Sequence, residues 1–498
     1  MKTNLNTSVL INIIKTFTMM ILSFITFPYV CRVLQDNALG TYQWVAAFVY
    51  YFFVLARISL PNIAVRECVK VKDDPKAFTT KVYEFFILQG IMTLLSFALL
   101  CVLAFTIPAF RSGENIQPLI FILSLNFLTG VLSFEWVYTA LEKHVFMSLR
   151  SIIIAAVLDV IMFVAVKRPG DLMVYALINV STTILTVIIN LIFLPRTYKF
   201  TKCGQINLKQ YLPSLGVLLV MSLSIALYDK TDSFILGLID ESKASVGAYS
   251  VGIKAIEMVL AILTGLSTVF IPRASYYYSK KDMKQYNNLN KYSSNIALFL
   301  VIPAIGLFMP LCYQITKLIS GEVGYEQAGM TLLILSVMMI TYSISYIIYT
   351  QVLIPLKKEK YYMFSMLFGT ILNAGLSVLF GMVIFKDTPA IGVALGTVIS
   401  DTLILIFLFS RTWEYSKIML FTLNTLKVII GGVVVASVGT LCLTFLTPNL
   451  EPLVGQIYAY LINLGITLVV GGALYIFILI LLKEKLIMSI IHRRFLKY

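Results

Sequence analysis

The sequence predicts an all-α membrane protein with about fourteen transmembrane helices. Its 498 residues are 59% hydrophobic and 13% charged, and the mean hydropathy is +0.90. A soluble chain would carry about 25% charged residues. Apolar runs long enough to cross a bilayer as helices recur along the whole chain. Only helices and closed barrels satisfy their backbone in lipid, and the alternating strands typical of a barrel are absent from the sequence.

The candidate spans form two sets of six and a final pair. The first six are roughly residues 9–30, 42–63, 82–105, 119–141, 148–166 and 173–194. The next six are roughly 212–239, 247–271, 293–316, 329–354, 361–384 and 389–409, and the last two are 426–445 and 456–482. A hydrophilic linker at 196–211 separates the sets. We predict an N-terminal six-helix bundle at 1–204, a second at 205–420, and two further helices with a cytoplasmic tail at 421–498.

One long segment occurs twice in the sequence. Gly40 and Gly247 each open a Gly-x-Tyr motif and an apolar run, which ends at Arg66 in the first copy and at Arg273 in the second. The spacing from Gly to Arg is 26 residues in both copies, which lie 207 residues apart, and a loose basic run follows each. Such symmetry is typical of transporters. Chance similarity is the alternative, because Gly-x-Tyr is a weak motif.

The basic residues predict the orientation in the membrane. With the N-terminus inside, the cytoplasmic segments collect 28 of the 39 Lys and Arg residues and the outside loops collect 7. This bias places both termini in the cytoplasm. The net charge of +15 is therefore mostly a topology signal, and nucleic acid is not an expected partner. The remaining four cations, Lys15, Arg57, Lys230 and Lys254, fall within spans.

These four cations are the predicted substrate-binding residues. A Lys or Arg at the bilayer centre costs about 2.5–3.5 kcal/mol, so it usually faces a partner or water. They lie on the first two helices of each half, where they could converge on one cavity that attracts an anion. Arginine grips phosphate in a bidentate manner, whereas lysine acts as a point charge.

For Lys254 and Lys230 the alternative is neutralisation by nearby acids, and for Lys15 it is snorkelling towards the membrane surface. Lys254 and Glu257 are spaced i,i+3 on one helix face. Lys230 lies between Asp229 and Asp232, and Lys15 is close enough to the cytoplasmic end of its helix to snorkel. Arg57 has no carboxylate within one turn of its own helix, which makes it the best candidate for a ligand contact.

Carboxylates inside the spans are candidates for coupling transport to a proton or sodium gradient. They are Glu135, Asp159, Asp229, Asp232, Glu257 and Asp401. We assign ion coupling to four of them: Asp159, Asp401, Asp232 and Glu257. Asp159 and Asp401 have no local cation, whereas pairing with the four cations is the alternative for the others. No other cofactor is expected.

The sequence does not indicate an enzyme. No phosphate-binding loop is present. The two histidines, His144 and His492, fall in predicted cytoplasmic segments, so no Ser/His/Asp set is expected in the membrane. The six cysteines are scattered without a C-x-x-C pair, so neither a zinc site nor a disulfide framework is suggested.

Several motifs are shared with a known family. Residues 27–34 read FPYVCRVL and run into LGTY at 39–42; residues 135–143 read EWVYTALEK, and residues 351–360 read QVLIPLKKEK. In this order and spacing the chain resembles the polysaccharide and O-antigen flippases of the multidrug/oligosaccharidyl-lipid/polysaccharide (MOP) exporter superfamily. Thr139 and Ala140 replace the usual Gln-Gly of the family's W-x-φ-Q-G-L-E-K signature.

The resemblance implies a MATE-like fold of two pseudo-symmetric six-helix bundles plus two C-terminal helices. It implies a central cavity lined by helices 1, 2, 7 and 8, the helices that carry the four cations. It also implies a flippase that moves an undecaprenyl-diphosphate-linked oligosaccharide, as used for O-antigen, capsule or exopolysaccharide, across the bacterial cytoplasmic (inner) membrane by alternating access. The expected partners are that substrate, membrane lipid, and a polysaccharide polymerase and chain-length regulator.

Two other functions remain as alternatives. A multidrug exporter of the same superfamily would be expected to carry acidic cavity helices and usually twelve spans. A membrane-embedded polysaccharide polymerase or ligase would be expected to carry a large external loop, whereas the predicted outside loops are short. Transport of lipid II is a sub-case of the flippase hypothesis.

Overall fold

The protein is helical throughout the part of the chain that the structure describes. A computed structural model describes residues 5–491 apart from positions 59, 112, 114, 322 and 421. Within these residues every regular element is a helix, which confirms the predicted all-α class. His492 and the end of the predicted cytoplasmic tail lie outside the described residues, as do the first four residues.

The helices account for the predicted membrane spans, so the protein is a multi-pass membrane protein. Among the described residues, twelve helical segments are long and apolar enough to cross a membrane. One of them, Ile14–Lys70, has 57 residues. As a single straight helix it would extend about 85 Å, far beyond the ~30 Å hydrocarbon core. Its backbone instead leaves the helical conformation at Gln35, where φ is +61°, so the segment covers the first two predicted spans. The helix Leu212–Ile239 matches the seventh, so each of the fourteen predicted spans corresponds to a helical segment.

The chain forms two compact units, Met1–Leu238 and Ile239–Tyr498. The predicted domain boundaries after residues 204 and 420 stay predictions. The helices of the first unit are α1 (Leu5–Arg57), α2 (Leu60–Lys70), α3 (Pro75–Thr106), α4 (Ile116–Ser124), α5 (Phe127–Leu132), α6 (Glu135–Ala140), α7 (His144–Ala165), α8 (Leu172–Thr197) and α9 (Leu212–Ile239), with short 3₁₀ turns at Pro108–Phe110, Pro169–Asp171 and Lys209–Tyr211.

The second unit contains longer helices, several of which are interrupted by π-helical turns. Its helices are α10 (Ala244–Ser279), α11 (Met283–Ser320), α12 (Ala328–Ile347), α13 (Lys360–Val378), α14 (Pro389–Leu420), α15 (Leu423–Leu441), α16 (Thr447–Val454), α17 (Gln456–Ile466), α18 (Gly472–Leu481) and α19 (Lys485–Ile491). The π-helical turns are Ile348–Leu353, Leu379–Ile384, Cys442–Leu446 and Thr467–Gly471.

The family motif at residues 135–143 forms α6 and part of the core of the first unit. Trp136 and Tyr138 are buried there with Leu60 of α2 and Phe85 of α3. The ring centroids of Phe85 and Trp136 lie 5.9 Å apart, and the Tyr138 hydroxyl donates a hydrogen bond to the carbonyl of Asn190 on α8 at 2.6 Å. The motif therefore joins α2, α3 and α8, which fixes the helices beside the end of α1.

The predicted linker is bound along α3 by hydrogen bonds. The Gly204 amide donates to the Thr80 hydroxyl and the Asn207 amide donates to Glu84 Oε1, both at 2.8 Å. The Tyr211 hydroxyl donates to Glu84 Oε2 at 2.7 Å. Burial and the neighbouring carboxylate raise the pKa of Tyr211 well above its usual value, so this hydroxyl stays protonated. The linker thus fixes the start of α9 to the first unit.

The last two predicted spans pack closely on α11. A Cβ at Gly432 of α15 would lie 2.5 Å from Ile302 Cγ2, and one at Gly306 of α11 would overlap the Gly432 carbonyl. Only glycine therefore permits this crossing, as at other close helix contacts in membranes. Nearer the helix ends, Gln314 donates to the Thr447 hydroxyl at 3.1 Å. The two additional helices are therefore an integral part of the second unit.

Candidate functional site

A break in the second predicted span defines the candidate site. Helix α1 ends at Arg57 and α2 begins at Leu60. Between them Ile58 has a φ of +38°, a left-handed value that is rare for a β-branched residue. Pro61 explains the position, because proline offers no N–H to the carbonyl four residues earlier, here that of Arg57, and its ring crowds that carbonyl. Transporters use such interrupted helices at their ligand sites.

A cavity of about 390 Å³ lies beside this break, between the end of α1, the start of α2 and the middle of α9. Of the ten described residues that line it, Arg57 alone is charged, while three are polar and the rest are apolar. The lining residues are Tyr50, Phe53, Val54, Arg57, Ile58, Pro61, Asn62, Ser222, Ile225 and Ala226. An apolar cavity with one fixed cation suits an amphipathic anion.

Arg57 is held in place by an aromatic ring. The carbon of its guanidinium lies 5.8 Å from the centroid of Phe53, one turn earlier on α1. In the described part of the chain no salt bridge neutralises Arg57. A cation–π contact uses the face of the guanidinium, so its N–H groups remain able to bind a carboxylate or phosphate. Arg57 therefore has the contacts expected of a ligand-binding residue.

Lys230 contacts the ring next to the one on which Arg57 stacks. Its Nζ is 5.7 Å from the centroid of Tyr50, and the centroids of Tyr50 and Phe53 are 6.4 Å apart. The negative charge of Asp229 acts on the Tyr50 hydroxyl, and the positive charge of Arg57 acts on it more weakly. The first unit thus places two of the four predicted cations against two neighbouring aromatic rings that line the cavity.

Close packing brings α9 to these aromatic rings. A Cβ at Gly237 would overlap the ring of Trp44 on α1, so α9 can approach α1 here only without a side chain. One turn earlier, Phe234 stacks on Phe48 with centroids 6.3 Å apart and meets the edge of Tyr51 at 5.7 Å. This aromatic contact fixes the register of Lys230 against Tyr50.

The other two predicted cations have different surroundings. Lys254 lies on α10 in the second unit, and its Nζ is 3.3 Å from Glu257 Oε2. This is the i,i+3 ion pair that the spacing indicates as an alternative. Lys15 lies on α1 and is partly exposed. For both residues a role in substrate binding stays a prediction.

The four predicted coupling carboxylates lie on four different helices. Asp232 on α9 and Asp401 on α14 are 8% and 5% exposed. Asp159 on α7 is half-buried, within range of a charge interaction with the Tyr175 hydroxyl on α8. Glu257 is the partner of Lys254. Their part in ion coupling stays a prediction.

A buried cation in the first unit, Arg150, is not among the predicted site residues. The count of basic residues treats Arg150 as part of a cytoplasmic loop, but this placement is wrong, because Arg150 lies inside α7 and is 6% exposed. Its guanidinium donates to Glu135 Oε1 at 2.7 Å and to the side-chain oxygen of Asn190. Glu135 is therefore paired with Arg150 and not with one of the four predicted cations. The signal in the sequence is a pair of opposite charges, Glu135 near the end of the predicted span 119–141 and Arg150 near the start of the span 148–166.

Family models match most of the length of the chain. Residues 5–278 match the model described as polysaccharide biosynthesis protein, and residues 218–379 match the MatE model. A protein of Escherichia coli (strain K12) that is provisionally named an O-antigen transporter is 22% identical over 343 residues, which cover 68% of this chain and 81% of that protein.

Solved structures share the fold. The lipid II flippase MurJ in an inward closed conformation matches with a TM-score of 0.63 and 16% identity, covering 98% of this chain and 100% of that one. An inward-facing multidrug resistance MATE family transporter of the MOP superfamily matches with a TM-score of 0.56 and 15% identity, covering 80% and 98%. These matches confirm the predicted MATE-like fold. Because the first family model spans more than half of the sequence, the chain belongs to the polysaccharide biosynthesis protein family.

Proposed function

We propose that the protein flips an undecaprenyl-diphosphate-linked oligosaccharide across the bacterial cytoplasmic membrane by alternating access. The glycan would be a repeat unit of O-antigen, capsule or exopolysaccharide. The observation that carries this proposal is the cavity at the helix break, where Arg57 is the one charged residue among the described lining residues. The family description and the name of the Escherichia coli relative support a glycan substrate.

The cavity offers each part of such a substrate a suitable surface. The diphosphate would bind the guanidinium of Arg57 in a bidentate manner, and Lys230, against the neighbouring aromatic ring, would add positive charge. Val54, Ile225 and the other apolar lining residues would face the first isoprene units. We extend the proposal to Lys15 and Lys254 as cations that attract the diphosphate. At Lys254 the substrate would compete with Glu257.

We also propose that a proton or sodium gradient drives the transport. Buried carboxylates bind protons or sodium ions more readily than exposed ones, because burial disfavours an uncompensated negative charge. Asp232 and Asp401 are buried, and together with Asp159 and Glu257 they are the proposed coupling residues. Both termini would lie in the cytoplasm, and a polysaccharide polymerase with its chain-length regulator would use the flipped product.

Substitution of Arg57 tests the proposal. In a host that lacks its own flippase, we expect Arg57→Ala to lower surface glycan by about tenfold to a hundredfold, because a charge-assisted hydrogen bond contributes about 1.5–3 kcal/mol. Arg57→Lys keeps the charge and loses the bidentate geometry, so we expect an intermediate level. Surface glycan is measured by immunoblot beside the protein level in the membrane.

Arg196→Ala is a matched control. Arg196 on α8 also stacks on a phenylalanine of its own helix, with its guanidinium carbon 5.4 Å from the centroid of Phe193, but it does not line the cavity. We expect near-normal glycan from this variant. Normal glycan from Arg57→Ala at normal protein level would refute the cavity's role. Loss of cationic drug efflux without loss of glycan would favour the multidrug exporter instead.

A further inference from the structure

We infer that Gln89 of α3 is a positioning residue for Arg57, because its side-chain amide supplies the hydrogen bond that the helix break removes. This inference rests on the proposed function of the Arg57 cavity. It concerns a residue that does not line the cavity and that acts through the backbone of α1.

The break leaves carbonyl groups at the end of α1 without their usual donors. In a continuous α-helix the carbonyl of Ala56 accepts from the amide four residues later, but α1 ends at Arg57 and a new helix begins at Leu60. Inside a membrane such a carbonyl needs another partner. Gln89 Nε2 donates to the Ala56 oxygen at 2.5 Å, so α3 supplies that partner.

The surroundings of Gln89 are shaped for this contact. The side chain is 3% exposed and lies in an otherwise apolar stretch of α3, where a polar residue usually has a functional reason. On its other side, a Cβ at Gly130 of α5 would lie 3.0 Å from Gln89 Nε2. The amide therefore fits closely between Gly130 and the carbonyl that it binds.

The contact acts directly on the position of Arg57. Ala56 immediately precedes Arg57, so a shift of the Ala56 peptide moves the guanidinium relative to the Phe53 ring on which it stacks. One turn earlier, the Ser96 hydroxyl donates to the Phe52 carbonyl at 2.6 Å. That second contact joins the same two helices where α1 is continuous, so it provides a matched control.

Binding measurements on the full-length protein in lipid nanodiscs test the inference. The probes are undecaprenyl diphosphate and undecaprenyl monophosphate. Gln89→Met keeps the length of the side chain and removes the donor. We expect the Kd for the diphosphate to rise about tenfold, equivalent to about 1.4 kcal/mol. The preference of the protein for the diphosphate over the monophosphate should fall. The number of binding sites per folded protein should stay unchanged.

Two further variants keep the inference testable if Gln89→Met folds poorly. Gly130→Ala should push the amide from its place without removing it, and we expect a smaller rise in Kd, about threefold. For Ser96→Ala we expect a Kd within about twofold of the wild type, because the Phe52 carbonyl remains inside a continuous helix.

The outcomes separate this inference from the proposed function. Wild-type Kd and selectivity in Gln89→Met, beside loss of binding in Arg57→Ala, would overturn the inference alone. A loss of sites at unchanged Kd would also overturn it, because it would indicate a purely structural role. If Arg57→Ala itself binds the diphosphate like the wild type, the proposed function fails. An increased Kd and a lost preference for the diphosphate in both Gln89→Met and Arg57→Ala would support the inference and the proposed function together.

Discussion

The two copies of the repeated segment have equal lengths in the sequence but different backbones. In the copy that begins at Gly40, the helix ends at Arg57 and a new one follows. In the copy that begins at Gly247, α10 continues from Ala244 to Ser279 with Pro272 inside it. The repeat in the sequence therefore does not make the two helices equivalent, and the Arg57 cavity lies at the break in the first copy.

Proline alone does not explain the difference. Helix α11 also continues through Pro303 and Pro310, and membrane helices tolerate proline when the freed backbone groups find other partners within an unbroken helix. At Pro61 the chain instead forms two helices, and Gln89 binds the carbonyl of Ala56. The comparison indicates that proline alone is not sufficient for a break, and that at Pro61 a donor on a neighbouring helix accompanies it.

The two units also differ in their buried polar contacts. In the first unit the charged Arg150 joins Glu135 and Asn190. In the second unit the polar contacts at the π-helical turn are between neutral groups. Gln351 Nε2 donates to the Ser293 hydroxyl at 2.6 Å, and the backbone carbonyl of Gln351 accepts from the Tyr286 hydroxyl at 2.8 Å. Charged networks are more costly to leave incomplete than neutral ones.

The largest expected effect comes from breaking the charged network. We expect Glu135→Leu to lower the free energy of unfolding by about 3 kcal/mol, the lower end for a buried pair, because the Glu135 side chain is 36% exposed while that of Arg150 is 3% exposed. Gln351→Leu in the second unit should cost about 1 kcal/mol. Titration of the purified proteins with SDS in mixed micelles measures both. Equal losses of unfolding free energy in the two variants would show that the charged network is no more costly to break than the neutral one.

Removing the proline of the first copy should have the next largest effect. In Pro61→Ala, residue 61 regains an N–H that can bind the Arg57 carbonyl and extend the helix. We expect glycan export to fall about tenfold, as for a loss of about 1.4 kcal/mol in binding, with the protein still folded. Pro272→Ala in the second copy is the control, and we expect nearly normal export from it. If both variants export normally, the break does not position Arg57.

The smallest expected effects concern two of the proposed coupling carboxylates, Asp401 and Asp159. Asp401 is buried in the second unit and Asp159 is half-buried in the first. A more deeply buried carboxylate gains more from binding a proton or a sodium ion, because burial disfavours its free negative charge. We therefore expect Asp401→Asn to lower gradient-driven flipping in liposomes several-fold and Asp159→Asn to lower it about twofold. Flipping that ignores both proton and sodium gradients in the wild type would argue against coupling at either residue.

Parts of the candidate site were predictable from the sequence. Arg57 was identified because it is a cation in an apolar run with no acid within one turn, and the structure places it at the cavity. The break itself could have been suspected from Pro61. Gln89 gave only a weak signal, a single amide in an apolar stretch, and its partner on α1 lies 33 residues away. The burial of Arg150 was not predicted, because it depends on a partner, Asn190, that is 40 residues distant in the sequence.

By itself the sequence determined that the chain crosses the membrane repeatedly and where the spans lie, because hydrophobic length is a local property of each segment. Its family also followed from the order of short motifs. Only the tertiary structure decided that α1 stops at Arg57 while α10 continues through its proline, and that Arg57 faces a cavity. These outcomes depend on donors and close contacts that arrive from other helices, and the local sequence around each proline does not specify them.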